Sequence, residues 1–352
     1  MKRPGILSTL SSRKQQAVIL VNLGSPDAPT AAALKRYLCQ FLHDPRVIEV
    51  PRAIWCPILH GIILRTRPRK VAKSYADIWL PDGSPLVAYS RRLARKLQQH
   101  VNSTYDNPPR VSVAMRYGQP DLLDQLAQLQ ADGIEEILLL PMFPQYSAAT
   151  TATIFDRAAR YCRQQRNIPA VSFVHDYHDF PAYIQAIAHS VTRHWASHSK
   201  GDKLLISFHG LPQRNVKLGD PYYDQCQRTA RLIADALGLR DDAWQLVFQS
   251  RFGRQVWLQP YCEDTLINLA QQGCDHVDVI CPGFAVDCLE TLEEIQLRYR
   301  DSFIAAGGKG FQYIPALNDS DSQVALYQQL IAQHLGARLG LKATSAVVAE
   351  PA

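Results

Sequence analysis

The stretch Leu204-Leu-Ile-Ser-Phe-His-Gly-Leu-Pro212 decides how this chain folds. Residues 204–208 form a short apolar run typical of a fully buried parallel strand, and the Gly-Leu-Pro that follows forces a turn at its carboxyl end. Open α/β sheets bind their ligands at that end of their strands. His209 is therefore a candidate functional residue, although a strand-end histidine can also be an ordinary hydrogen-bonded polar residue.

A second strand exit carries carboxylates. The segment Cys281-Pro-Gly-Phe-Ala-Val-Asp-Cys-Leu-Glu290 follows another apolar run and opens a helix. Asp287, Glu290 and Glu294 are spaced three and four residues apart, so we expect them along one helical face. Facing an imidazole across a cleft, they could hold a divalent first-row metal ion or move protons. The alternative is a capping box, because Asp287-x-x-Glu290 also has the spacing that secures a helix start.

An internal repeat organises the chain. Residues 119–133 and the strand and exit at 137–143 recur as residues 259–273 and 277–284, each copy giving a helix, a glycine cap and a Pro-containing strand exit. Strands alternating with helices predict parallel sheets. The fold class is therefore α/β, with two similar Rossmann-like domains, parallel sheets flanked by helices, and a cleft between them. The predicted strands span 17–23, 110–115, 136–140, 170–175, 203–208, 244–248, 276–281 and 311–314.

The repeat also gives domain limits. We predict an N-terminal domain at 15–172, a C-terminal domain at 173–338 that carries the metal site, and a frayed tail at 339–352. The length of the chain agrees, because it exceeds what one hydrophobic core usually fills.

The N-terminal half contains extra residues, at about 41–86, that the second copy lacks. They include an apolar patch at 53–64 and a basic run at 65–70. Twelve mostly apolar residues are too few to cross a bilayer, but apolar surface beside cations suits a membrane interface or a large apolar anion. We predict a lip over the cleft; the alternative is a buried helix with a solvated basic end.

Composition limits the function classes. The net charge of +6 does not argue for nucleic acid, but it suits an anionic ligand or an anionic membrane surface. Neither half shows Gly-x-Gly-x-x-Gly or a P-loop, so nucleotide binding is not supported. We find no apolar run of about 18 residues and no signal-peptide core at the start, and we expect a cytoplasmic protein with reduced cysteines.

Nine short motifs follow one another along the chain. They are Val21-Asn-Leu-Gly-Ser-Pro26, Asp82-Gly-Ser-Pro85, Arg116-Tyr117, Pro144-Gln-Tyr-Ser147, Ser207-Phe-His-Gly-Leu-Pro212, Gly219-Asp-Pro-Tyr222, Gln249-Ser-Arg-Phe-Gly253, Trp257-Leu258 and Pro282-Gly-Phe-Ala-Val-Asp-Cys-Leu-Glu-Thr-Leu292. In this order they resemble the motifs of the ferrochelatase family, lyases that insert ferrous iron into protoporphyrin in haem biosynthesis. The resemblance runs from about residue 17 to 330.

The resemblance implies roles for individual residues. His209 would bind the incoming metal or accept a pyrrole proton, and Glu290 would be its partner across the macrocycle. Glu294 and Asp287 would lie on an outer metal path. The residues implied for porphyrin binding are Asn22, Leu23, Tyr75, Ser84, Arg116, Trp257 and Phe284.

The resemblance also implies partners and leaves alternatives. Protoporphyrin IX and ferrous iron would be the substrates, no cofactor would be required, and the inner membrane surface would be a peripheral contact. Relatives often have a histidine where this chain has Cys288, and some bind an iron–sulfur cluster through C-terminal cysteines; no cysteine follows Cys288, so we predict no cluster. The alternatives are a coproporphyrin ferrochelatase, a cobalt or nickel chelatase for another tetrapyrrole, and a non-enzymatic tetrapyrrole-binding protein.

Overall fold

The computed structural model describes residues 15–253 and 255–342, which contain two four-stranded parallel sheets with the same strand order. The first sheet has the order β2-β1-β3-β4 and the second β6-β5-β7-β8. The predicted strands are confirmed, each end lying within two residues of its prediction. The strands are β1 (Gln16–Gly24), β2 (Arg110–Tyr117), β3 (Glu136–Pro141), β4 (Ala170–Phe173), β5 (Lys203–His209), β6 (Trp244–Gln249), β7 (His276–Ile280) and β8 (Gly310–Ile314).

The described helices flank these sheets and follow their strands in the alternating order that the sequence predicted. Among them, no helix combines the length and the apolar character that crossing a bilayer requires. Three segments wind as π-helices, at Leu59–Ile63, Ala148–Ala152 and Glu290–Tyr299. The α-helices are α1 (Ala31–Leu42), α2 (Arg52–Ile58), α3 (Leu64–Ile78), α4 (Pro85–Thr104), α5 (Leu122–Ala131), α6 (Thr153–Cys162), α7 (Pro181–Ser197), α8 (Gln213–Lys217), α9 (Tyr222–Ala236), α10 (Cys262–Gln271), α11 (Arg300–Ala305) and α12 (Asp321–Leu339).

The central strands are buried on both faces, in agreement with their mostly apolar sequences. Successive side chains of a strand point to opposite sides, so β1 sends Val18 and Leu20 into one core and Ile19 into another. The core that receives Val18 and Leu20 also receives Leu204 and Ile206 of β5. One hydrophobic core therefore joins the two sheets and fixes the position of their strand ends.

Equivalent backbone hydrogen bonds are found at the start of both copies of the repeat. The amide of Met115 donates to the carbonyl oxygen of Pro120 at 2.6 Å, and the amide of Phe248 donates to that of Pro260 at 2.8 Å. In each copy the chain then enters a helix, α5 or α10. The repeat predicted from sequence is therefore also a structural repeat.

The segment predicted as a lip is one continuous helical rod made of α2, the π-helix Leu59–Ile63 and α3. A small core attaches the rod to the end of α1, and the indole of Trp55 donates to the carbonyl oxygen of Leu42 at 2.7 Å. At its other end, Ser74 of α3 donates to a carboxylate oxygen of Glu293 at 3.1 Å. The lip therefore connects the first sheet's helices to the π-helix Glu290–Tyr299, which we call the site helix.

The last described residues return to the first half of the chain. Helix α12 packs against α4 and α7, and Leu339 is fully buried. The carbonyl oxygen of Gly340 accepts from Asp106, and the amide of Lys342 donates to Thr104, both at 3.0 Å. Residues 339–342 of the predicted tail are thus held against the end of α4, and residues 343–352 lie outside the described residues. The domain limits 15–172 and 173–338 stay a prediction.

Candidate active site

His209 ends β5, where the sequence predicted the ligand-binding edge of the sheet. Its Nδ1 lies 2.6 Å from the carbonyl oxygen of Gly210. A carbonyl oxygen only accepts, so Nδ1 carries the proton of the neutral ring and Nε2 keeps its lone pair. The imidazole is half-buried, and its centroid lies 6.4 Å from the Trp257 ring. His209 therefore presents one nitrogen that can accept a proton or bind a metal ion.

Gln249 connects the strand that carries His209 to the helix that carries Glu290. It is the neighbour of His209 in the β5–β6 register, and its backbone oxygen accepts from the Gly210 amide at 2.7 Å. Its side-chain nitrogen donates to the carbonyl oxygen of Glu290 at 2.8 Å, while its side-chain oxygen accepts from Ser207 at 2.8 Å. The Gln249 side chain is buried and both of its polar ends are bonded. The two strand exits singled out from sequence are therefore linked through one amide.

Glu290 is the first residue of the site helix and lines a narrow space between that helix, the lip and the end of β1. The space measures about 20 Å³, which is room for one water-sized group. Several residues predicted to bind porphyrin meet here with others that sequence reasoning missed. The residues that line this space include Leu23, Ser25, Tyr37, Tyr75, Ser84, Cys288 and Glu290.

Burial and the Glu290 charge keep its polar neighbours protonated. Burial first, and then Glu290, raise the pKa of the Tyr75 phenol well above its usual value. The same two causes raise the pKa of the Cys288 thiol. At neutral pH Tyr75 and Cys288 are therefore neutral, and the carboxylate of Glu290 is the group in this space suited to receive a proton or a cation.

Glu294 lies one turn further along the site helix and faces a different space. Its oxygens accept from the Ser250 amide at 3.1 Å, from the Tyr299 hydroxyl at 2.7 Å and from Arg298 at 3.0 Å. The cavity it lines has a volume of about 350 Å³ and is also lined by Arg67. Glu290 and Glu294, one helical turn apart, therefore line two different spaces.

Asp287 does not share the helical face of the other two carboxylates, and that expectation was wrong. The helix begins only after Cys288, so Asp287 sits in the preceding turn. Its carboxylate is buried and accepts from Tyr313, Thr291 and Asn318 at 2.5, 3.0 and 2.6 Å. The Thr291 hydroxyl in turn accepts from the Cys288 amide at 3.0 Å, so Thr291 rather than Glu290 closes the turn.

These bonds predict a stability effect for Asp287. Asp287→Ala would leave several buried donors without an acceptor, each costing about 1–3 kcal/mol, so we expect a loss of roughly 3 kcal/mol or more in the free energy of unfolding. Urea denaturation followed by circular dichroism measures it. Asp301→Ala, at an exposed carboxylate beyond the site helix, is the matched control and should change stability by less than about 0.5 kcal/mol. A soluble, fully stable Asp287→Ala protein that fails only in turnover would instead support a role on the metal path.

The model of the ferrochelatase family matches residues 15–335. The chain belongs to the ferrochelatase family. It is 52% identical over 319 residues to the ferrochelatase of a Polaromonas species, covering 91% of this chain and 87% of that one. It is 50% identical over 318 residues to the ferrochelatase of Aeromonas hydrophila, covering 90% and 98%. Among solved structures, SirB from Bacillus subtilis with Fe³⁺ has a TM-score of 0.53 at 10% identity, covering 92% and 99%, which supports the two-domain chelatase-like fold.

Three predicted porphyrin contacts of this ferrochelatase-family chain lie away from the Glu290 space. Arg116 forms an ion pair with the buried Asp44, and its Nε donates to the Thr153 hydroxyl at 2.6 Å. Asn22 is buried, and its side-chain oxygen accepts from the Leu23 amide at 2.8 Å. Phe284 packs partly buried against the core of the second sheet. The structure therefore gathers Leu23, Tyr75 and Ser84 around Glu290 but does not bring Arg116, Asn22 or Phe284 there.

Trp257 lies on the His209 side instead. It pairs with Pro212, and a Cβ added at Gly210 would lie 3.1 Å from the indole and 2.7 Å from the Gln249 carbonyl oxygen. Gly210 is therefore required for the close packing of β5, β6 and Trp257. The Gln249 role was missed, although its motif was recognised and its position at the end of a strand next to β5 was a usable signal. Tyr37 on α1 carried no such signal.

Proposed function

We propose that this protein inserts ferrous iron into protoporphyrin IX to form protohaem, the terminal step of haem biosynthesis, in the cleft between its two domains. Membership of the ferrochelatase family over residues 15–335 carries the reaction class. The structural observation that supports the site is the Gln249 amide, which ties the strand end of His209 to the first residue of the site helix. Iron is a substrate of this reaction and not a cofactor.

The proposed chemistry needs acceptors for two protons. Two pyrrole N–H bonds break, four iron–nitrogen bonds form, and the oxidation state of iron does not change. We assign proton acceptance and metal delivery to His209 and Glu290, because an imidazole accepts protons near neutral pH and imidazole nitrogen with carboxylate oxygen suits ferrous iron. Tyr75 and Cys288 do not compete, since their raised pKa values keep them protonated.

The porphyrin requires more room than the space beside Glu290 offers. The space admits one water-sized group and does not accommodate a macrocycle, so we propose that the lip moves away from the site helix when porphyrin binds. The Ser74–Glu293 hydrogen bond joins two half-buried side chains and is weak enough to open. A bent porphyrin exposes its nitrogen lone pairs, at a cost on the order of 1–5 kcal/mol taken from binding elsewhere.

The direct test is anaerobic incubation of the purified chain with ferrous iron and protoporphyrin IX, followed by the absorbance change of metallation. We expect turnover with this pair. Parallel reactions with coproporphyrin and with cobalt or nickel determine the preferred pair. Turnover with none of the porphyrins would overturn the proposal. Acid-labile sulfide at stoichiometric levels in the same preparation would contradict the predicted absence of an iron–sulfur cluster.

We further propose that the lip contacts an anionic membrane surface, which would place the protein in the cytoplasm with a peripheral contact to the inner membrane. Three isoleucines spaced four residues apart point outward: Ile54, Ile58 and Ile62 are 58%, 39% and 60% exposed. Arg65 and Arg69 continue the exposed side of the same rod. An apolar stripe that ends in cations is the pattern of an interfacial helix. By contrast Leu64, in the apolar patch read from sequence, is buried and holds the lip to α1.

Replacing Ile54, Ile58 and Ile62 with serine should weaken binding to phosphatidylglycerol vesicles by about 100-fold, at roughly 1 kcal/mol of lost apolar contact per residue. Vesicle co-sedimentation measures this. Ile168→Ser with Ile304→Ser, at exposed isoleucines elsewhere, is the matched control. Charge reversal at Arg65 and Arg69 should weaken the same binding mainly at low salt, because the screening length is about 8 Å at physiological ionic strength. If the lip triple variant and the control bind vesicles equally well, the isoleucine stripe does not contact the membrane.

A further inference from the structure

Three side chains at the joint between α1 and the lip have the chemistry of metal ligands. They are Cys39 of α1, His43 at the carboxyl end of α1, and His60 in the π-helix of the lip. One ligand atom from each lies within 4.8 Å of the other two. The proposed insertion site uses β5 and the site helix, so this cluster belongs to different elements.

The two imidazoles face each other through their Nε2 atoms. His43 Nε2 lies 3.2 Å from His60 Nε2. Two nitrogens bound tetrahedrally to Zn²⁺ at about 2.0–2.1 Å lie roughly 3.3 Å apart, so the observed spacing fits a shared ion. His43 Nδ1 lies 2.6 Å from the carbonyl oxygen of Cys39, which places the proton on Nδ1 and the lone pair on Nε2. A backbone carbonyl on the far nitrogen is the usual support of a metal-binding histidine.

Cys39 supplies a thiol beside this pair. Its Sγ lies within 4.8 Å of a ring nitrogen of His43 and of one of His60, and its side chain packs half-buried against the small core of Leu42, Trp55 and Leu59. That core fixes the α1 side of the cluster, while His60 is exposed and can rotate to close the coordination sphere. Packing therefore preorganises the two ligands of α1, and His60 is the ligand that adjusts when the ion binds.

We propose that Cys39, His43 and His60 bind a divalent transition-metal ion of the Zn²⁺ type, with one thiolate, two imidazoles and a fourth position open to water. Thiolate with imidazole favours such ions over Mg²⁺ or Ca²⁺. The Cys39 thiol releases its proton when the ion binds, so affinity rises with pH. Because His60 lies on the lip and Cys39 and His43 on α1, the bound ion ties the lip to the helix that also carries Tyr37 of the Glu290 space.

The test uses the full chain with His209→Ala, so that the proposed insertion site contributes less to binding. Zn²⁺ affinity is measured by competition with a chromophoric chelator, and Co²⁺ serves as a spectroscopic probe. We expect one Zn²⁺ per chain and a thiolate-to-cobalt charge-transfer band. His60→Asn, at an exposed position that folding does not require, should lower Zn²⁺ affinity by more than the roughly 10- to 100-fold typical of losing a supporting contact.

Matched variants and thiol labelling make the result specific. Cys56→Ser, a half-buried thiol of the same lip, and His189→Asn, an exposed histidine of α7, should leave Zn²⁺ affinity unchanged. Zn²⁺ should slow alkylation of Cys39 but not of Cys56, as resolved by peptide mass spectrometry. Equal Zn²⁺ affinity with and without His60, or a cobalt complex without the thiolate band, would overturn the site whatever the outcome of the iron-insertion assay.

Discussion

Replacing His209 with alanine is expected to lower kcat for iron insertion by about 10²–10⁴-fold, the usual contribution of a positioned proton acceptor. The Nδ1 proton of His209 is held by the Gly210 carbonyl oxygen, so the variant removes the free Nε2 lone pair and little else. Porphyrin affinity should stay close to that of the wild type, because one half-buried imidazole is a small part of the surface that a macrocycle covers. Anaerobic absorbance kinetics measure the first quantity, and porphyrin titration measures the second.

The controls separate chemistry from folding. His189→Ala removes an exposed imidazole from α7 and should retain wild-type turnover. Added imidazole should restore part of the activity of His209→Ala if the missing group is a proton acceptor. Turnover by His209→Ala within about threefold of wild type would remove His209 from the mechanism. A parallel loss of porphyrin affinity would instead assign His209 to shaping the pocket.

Short-range patterns were enough to predict the sheets. The runs that became β1 and β5 are apolar at most positions because both faces of each strand are buried, and their ends coincide with glycine and proline turns. The repeat then indicated two similar parallel sheets, since the same helix and strand exit occur twice, whereas the order of the strands came only from the structure. His209 was found because it ends such a strand, and Glu290 because it lies in the segment that leaves another one, where position indicates a ligand edge.

The hydrogen bonds and ion pairs that hold the other predicted site residues in place could not be predicted, because their partners are distant in sequence. Arg116 is paired with Asp44, 72 residues away, and so serves the N-terminal domain's interior. Asp287 is held by Tyr313 and Asn318, 26 and 31 residues further on. Neither partner is marked by a local motif, and burial decides both pairings.

The sequence also did not predict that the site helix is a π-helix. Spacing by three and four residues assumes an α-helix, whereas residues from Glu290 to Tyr299 wind as a π-helix with a wider turn. Glu290 and Glu294 remain one turn apart in either form. The wider turn and the later start, however, leave Asp287 outside the helix and give the three carboxylates three different surroundings.

Glu290→Gln should be as severe as the loss of His209, because the amide keeps the shape of the carboxylate but can neither accept a proton nor hold ferrous iron well. The change also gives a readout that does not depend on turnover. Burial first, and then the Glu290 charge, raise the pKa of the Cys288 thiol, so removal of that charge should lower the pKa while burial keeps it above its usual value. Alkylation of Cys288 followed against pH by peptide mass spectrometry measures the shift.

Two comparisons assign the loss to the carboxylate itself. Cys288→Ser keeps Glu290 and exchanges a buried, protonated thiol for a hydroxyl, so turnover should fall only slightly. Glu294→Gln removes the neighbouring carboxylate, which is already bonded to Ser250, Tyr299 and Arg298. It should therefore lower turnover less than Glu290→Gln does, and act on metal supply rather than on chemistry. If Glu294→Gln stops turnover while Glu290→Gln does not, the proton-accepting partner of His209 is the carboxylate in the larger cavity, and the narrow space beside Tyr75 only shapes the porphyrin's edge.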